Sequence, residues 1–198
     1  SYDEGFSAVS NVFLDLPGIM NGLDDMFFKI YLGTSQWTVD WYAGQVGTED
    51  QYKTLALKGN FVNSYNKAKV SYDTTFDKYK ITSRTSDNAT IEAIISEAYT
   101  TTKLISDSIK NANNYIDFVN NSMQENNFTI PSTVNTHKTS LNSYTSETNT
   151  HLTSLLESTT DIKNFKDAFY NADLDIRSSE LLLKQKENAL QDAKDKTL

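Results

Sequence analysis

From Val134 to Leu190 the chain places a residue on the same face every seven positions: Val134, Leu141, Thr148, Leu155, Ile162, Phe169, Ile176, Leu183, Leu190. Only Thr148 in that series is polar. A seven-residue repeat is slightly shorter than two turns of a straight α-helix. A helix that keeps it must therefore supercoil left-handedly around a partner. At about 1.5 Å per residue, a helix from 131 to 197 is roughly 100 Å long. A companion series is weaker, running His137, Tyr144, His151, Ser158, Phe165, Ala172, Ser179, Lys186, Ala193. The stretch from Thr129 to Thr160 is crowded with Ser and Thr, which are mediocre helix formers. The unbroken heptad is the reason to expect one continuous helix.

Three further segments carry helical periodicity. The first covers about 2–29. Phe6, Val9, Phe13 and Leu16 share a face there, and Ile19, Leu23, Met26 and Phe27 continue the stripe. Pro17 is expected to kink it or to begin a second piece. The second covers about 48–81, with Thr48 as expected N-cap. Its aromatic face runs Phe61, Tyr65, Ala68, Tyr72, Phe76, Tyr79. The third covers about 88–126 and holds two heptad seams, one on Ile91, Ala98, Ile105, Ala112 and Val119, the other on Ile95, Thr102, Ile109, Ile116 and Met123. With only 7 glycines and 2 prolines in 198 residues, the chain has too few breakers for a many-turned β fold. The expectation is an all-α protein: one elongated antiparallel coiled-coil or helical-bundle domain, 1–198, with a very long C-terminal helix.

The exception is the connection 31–47, YLGTSQWTVDWYAGQVG, which holds both tryptophans. Trp37, Val39 and Trp41 alternate as on an extended strand. Helix lengths suggest a reason. If helices two, three and four bundle along the first half of the long helix, the first segment is left to cover its second half. The connection must then climb back, and seventeen extended residues reach about 55 Å. We expect a strap pinned by Trp37, Val39 and Trp41. The functional alternative is an exposed aromatic patch for a partner protein.

Charge and chemistry exclude several classes. A net charge of -8, with no basic stripe, speaks against nucleic acid as a partner. There is no cysteine, hence no disulfide scaffold, thiol nucleophile or cysteine-held zinc. No stretch approaches the roughly 18 apolar residues of a membrane span. His137 and His151 stand about 21 Å apart along a helix and cannot share a metal. No GxSxG elbow, glycine-rich phosphate loop or calcium loop is present. The expectation is a non-enzyme with no catalytic, cofactor-binding or metal residues. The chain opens on SYDEGF without a methionine, and we expect a piece of a longer protein.

The C-terminal stretch LDIRSSELLLKQKENALQDAKDKTL resembles the returning helix of the hairpin in HlyD-like membrane-fusion proteins, the periplasmic adaptor subunits of efflux pumps and type I secretion systems. The opening SYDEGFSAVSNVFLDLPGIMNGLDDMF resembles the outgoing limb in adaptors with long helical insertions. The flanking lipoyl and β-barrel parts are absent, as for an excised helical-hairpin domain. The channel-docking tip motif of many adaptors is not recognisable around Arg84 or Phe128. The resemblance implies a helical spacer and assembly surface in a cell-envelope transport complex. It would lie on the periplasmic or extracellular side, with the parent anchored to the inner membrane. Its partners would be a transporter and an outer-envelope component, or further copies of itself. The alternative is an extracellular helical sensor or surface-stalk domain.

Overall fold

A computed structural model describes residues 2–196. The fold is all-α, without strands among the described residues. The helices are α1 (Tyr2–Phe27), α2 (Thr38–Ala43), α3 (Gln51–Ile81), α4 (Asn88–Glu125) and α5 (Ser132–Asp195). The described residues fall into two compact units, 2–159 and 160–196.

In the first unit, side-chain contacts fix the helix directions. Phe6 and Phe13 of α1 stack on Tyr79 of α3 with ring centroids 6.1 and 4.8 Å apart, while Phe27 meets Phe61 at 4.5 Å. The two helices are therefore antiparallel. Lys78 reaches Glu97 at 2.6 Å and Asn111 reaches Ser64 at 3.0 Å, which makes α3 and α4 antiparallel too. On α5, His137 packs on Phe27 and His151 bonds Asp15 at 2.9 Å, so this part of α5 runs against α1. The result is an up-down-up-down four-helix bundle of α1, α3, α4 and the first part of α5.

This corrects the expected layout. The first segment does not cover the second half of the long helix; it is the fourth member of the bundle beside the first half. The stripe on α1 is wide enough for this. Val9, Val12, Phe13, Leu16, Ile19, Leu23 and Phe27 are all buried, more than one neighbour can cover. Pro17 begins no new piece either. It removes one backbone donor, but α1 continues from Tyr2 to Phe27 because apolar residues on both sides of it are anchored. At Gly22 the ring of Tyr144 on α5 fills the space that a side chain would take. A Cβ there would stand 2.0 Å from the Tyr144 hydroxyl.

The core of α4 is its two seams. Ala98, Ile105, Ala112, Val119, Ile109 and Ile116 are fully buried. Asp87 caps the helix by accepting from the Thr90 backbone N–H at 2.9 Å and the Thr90 hydroxyl at 2.7 Å. Those bonds hold its carboxyl below the usual range. At the other end Asn127 takes φ 56°, so the Phe128 N–H turns back onto the Met123 carbonyl at 2.8 Å and closes the helix.

α5 is a single helix of 64 residues. In its Ser/Thr-rich first part the hydroxyls bond back onto the preceding turn, which leaves these donors satisfied while packing against the bundle holds the helix. Thr136, Thr139, Thr145, Thr148, Thr150, Thr153, Ser158 and Thr159 each donate to the carbonyl four residues earlier. That is how Thr148 sits fully buried in an apolar seam without an orphan hydroxyl.

Candidate functional site

Two surfaces stand out, and each belongs to its own unit. The first is the connection between α1 and α3. It is not the extended strap expected over 31–47. With α1 ending beside Phe61 of α3, there is no long climb to make, and the chain folds locally. Ile30 and Trp37 pair in one antiparallel bridge. The Tyr31 N–H donates to Gln36 at 2.8 Å and the Thr38 N–H to Lys29 at 2.9 Å. Gly33, at φ 80°, turns the loop between them, a conformation that glycine adopts without strain. α2 then begins at Thr38, and a 3-10 turn over Thr48–Asp50 leads into α3. Thr48 thus opens that turn rather than capping the long helix.

α2 changes the meaning of the alternation. Trp37 is the N-cap of α2, on extended backbone, and Trp41 lies in the first turn, its N–H bonded to the Trp37 carbonyl at 2.9 Å. Trp37 is 54% exposed and meets the Phe28 ring edge-on at 6.3 Å. Trp41 is half-buried, stacked on Tyr31 at 3.8 Å and 9°. Val39 is buried, and its carbonyl accepts from the Tyr115 hydroxyl at 2.6 Å. Val39 is thus an anchor, while Trp37 lies outward with Ile30 and Leu32, the latter 93% exposed. Tyr42, the true plug of this segment, escaped the alternation. It is fully buried among Phe27, Tyr115 and His137.

The Tyr42 hydroxyl and His137 Nδ1 lie 2.9 Å apart. Burial lowers the pKa of His137 and raises those of Tyr42 and Tyr115. Burial thus favours the neutral form of all three rings, which pack together as hydrogen-bonded core. Beyond α2, the Gly47 N–H donates to Ser122 Oγ at 3.2 Å, and Ser122 donates to Asp50. A Cβ on Gly47 would press on the Asn126 amide at 2.7 Å. The entry to α3 is thereby clasped to the end of α4.

The second surface lies on α5 beyond residue 160. Val134, Leu141, Leu155 and Ile162 of the step-of-seven series are buried. Phe169, Ile176, Leu183 and Leu190 of the same series are exposed, Phe169 at 71%. Phe165 and Leu182 are exposed beside them, and Tyr170, Leu174 and Leu181 are exposed elsewhere around the helix. Asp173 and Arg177, four apart, pair at 2.9 Å on this segment.

The two histidines lie in separate places, His137 with Tyr42 and His151 with Asp15. Among the described residues, no group of three or more His, Asp or Glu gathers as metal ligands. None of their helices is long and apolar enough to cross a membrane. A shallow groove between α3 and α4 is lined by Lys67, Val70, Ser71, Thr74, Lys78 and Glu97. The Ser71 and Thr75 hydroxyls bond Thr101, Thr74 donates to the Val70 carbonyl, and Lys78 holds Glu97. No protein-family model, curated protein or solved structure matches the chain.

Proposed function

We propose that the chain is a non-enzymatic helical spacer and protein–protein assembly domain of a cell-envelope transport complex, of the HlyD-like adaptor kind that its two ends resemble. One observation carries the reading. The heptad that builds the bundle continues past Ile162 with its apolar residues uncovered. A contiguous apolar stripe of that length is costly to leave in water, and such stripes mark interaction sites. The bundle supplies rigidity, the stripe supplies the contact, and the work is mechanical. Its place is the periplasmic or extracellular side of the envelope, in a parent held at the inner membrane.

The test is made in the parent protein in its own host. Phe169→Asp with Leu183→Asp puts charge on the stripe without touching a buried side chain. The expected outcome is loss of export at an unchanged level of folded protein. Full export with that variant sinks the reading. Unimpaired export together with a lost signalling or adhesion response would favour the sensor or stalk alternative.

A further inference from the structure

The geometry points to a second copy of this chain as the occupant of the α5 stripe, the two helices lying antiparallel over Phe165–Leu190. This rests on reading the stripe as an assembly surface and adds who sits on it. The core positions are Phe165, Phe169, Ala172, Ile176, Ser179, Leu183, Lys186 and Leu190, spaced by three and four. They continue, in unchanged register, the seam that is buried at Val134, Leu141, Thr148 and Leu155. The same pattern that closes one helical interface is thus presented again without a cover.

The sequence favours self-pairing in one direction. A parallel, in-register pair sets every residue against itself: Lys186 would meet Lys186, and Phe169 would meet Phe169. An antiparallel pair with its two-fold axis between Arg177 and Ser178 brings the two series against each other. Phe165 then faces Leu190, Phe169 faces Lys186, Ala172 faces Leu183, and Ile176 faces Ser179. Large side chains meet small ones in the two central layers, which is how facing knobs fill holes. Lys186 lays its stem along Phe169, with its ammonium near the ring and water.

Charge agrees. Lys166 of each copy comes beside Glu187 of the other at a flanking position. Asp173 comes beside Glu180, but Asp173 already holds Arg177 at 2.9 Å. Segment 160–196 carries eight acids and seven bases, a net of −1, whereas the chain as a whole carries -8. Two copies therefore meet over this segment with little net repulsion. Eight layers span about 38 Å. That is near the lower limit, roughly 1,000 Å² in total, at which a specific interface begins, so the dimer is expected to be concentration-dependent rather than permanent.

The whole chain is examined by sedimentation velocity over a wide concentration range, with Leu183→Asp beside it. The expected result is a monomer–dimer equilibrium whose Kd rises at least tenfold in Leu183→Asp, with melting temperature and helicity unchanged. Direction is read by cysteine cross-linking, which the absence of native cysteine makes clean. An oxidised mixture of Lys166→Cys and Glu187→Cys chains should give mainly the mixed dimer, and Lys186→Cys alone should give little. A monomer at every concentration overturns the proposal. So does a dimer indifferent to Leu183→Asp, or efficient Lys186→Cys self-linking. A monomeric protein whose export still fails in the Phe169→Asp, Leu183→Asp variant leaves the transport reading standing, with another polypeptide on the stripe. A dimer accompanied by intact export in that variant leaves the dimer and removes the transport reading.

Discussion

One helix carries one heptad series, and its two parts have opposite fates. Leu141 and Leu155 are fully buried, yet Leu183 and Leu190, in the same helix and the same register, keep more than half of their surface. Intrinsic propensity does not separate them. The buried part is the poorer helix former, rich in Ser and Thr, and the exposed part is richer in Leu, Lys and Ala. What differs is the support. Residues 132–159 are held by packing against α1 and α4. Residues 160–196 rely on good helix formers and on pairs such as Asp173–Arg177. A seam that can borrow order from neighbours tolerates weak local signals; a seam without neighbours is written in strong ones.

The sharpest way to break this contrast is to truncate a leucine in each part. Leu155→Ala should cost the bundle about 2–5 kcal/mol in chemical denaturation, since it leaves a cavity in a packed core. Leu190→Ala should change it by no more than about 0.5 kcal/mol at dilute, monomeric concentration. Equal effects would show that the two parts are not different at all.

Gly22→Ala comes next. The new methyl group collides with Tyr144, and a net loss of about 1–3 kcal/mol is expected despite the helix-propensity gain of about 1 kcal/mol. Most of that loss should vanish in a Tyr144→Ala background. If it persists, the Tyr144 ring is not what the new methyl group meets.

A smaller effect concerns acid. Burial lowers the pKa of His137 from its ordinary 6.5, so the unfolded chain binds its proton first as pH falls. Stability contributed by the neutral ring is complete above about pH 6.5 and drains away as pH drops below it. His137→Gln should flatten that limb of the stability profile between about pH 7 and 5.5, a range above most carboxylate titrations. An unchanged slope would remove His137 from the account.

The smallest effect tests the hydroxyl back-bonds. Thr148→Val keeps the shape and deletes the bond to the Tyr144 carbonyl. A change within about 1 kcal/mol is expected, because that carbonyl keeps its own helical partner. A larger loss would mean that the hydroxyls do more for α5 than satisfy themselves.

Much of the fold was legible in the residues. Helix spans of about 2–29, 88–126 and 131–197 stand against observed spans of Tyr2–Phe27, Asn88–Glu125 and Ser132–Asp195. Heptads and scarce breakers are local signals, and local signals set helix extents. Arrangement is another matter. Which helix lies on which depends on contacts such as Asp15 with His151, and spacing along the chain says nothing of them. One weak cue existed: Gly22 sits beside Leu23 in the apolar stripe, and a glycine inside a helix often has a packing reason. The reading of 31–47 failed for a related reason. The alternation of Trp37, Val39 and Trp41 looks the same whether it comes from a strand or from the first turn of a six-residue helix. Tyr42, not a tryptophan, turned out to be the buried ring.

Asp15 and His151 are separated by 136 positions along the chain. Closing a loop that long costs more chain entropy than closing the α3–α4 hairpin, whose helices are joined by residues 82–87. The contact between α1 and α5 is thus among the costliest in the bundle in chain entropy. The back-bonded hydroxyls of α5 keep their donors satisfied whether or not that contact has formed.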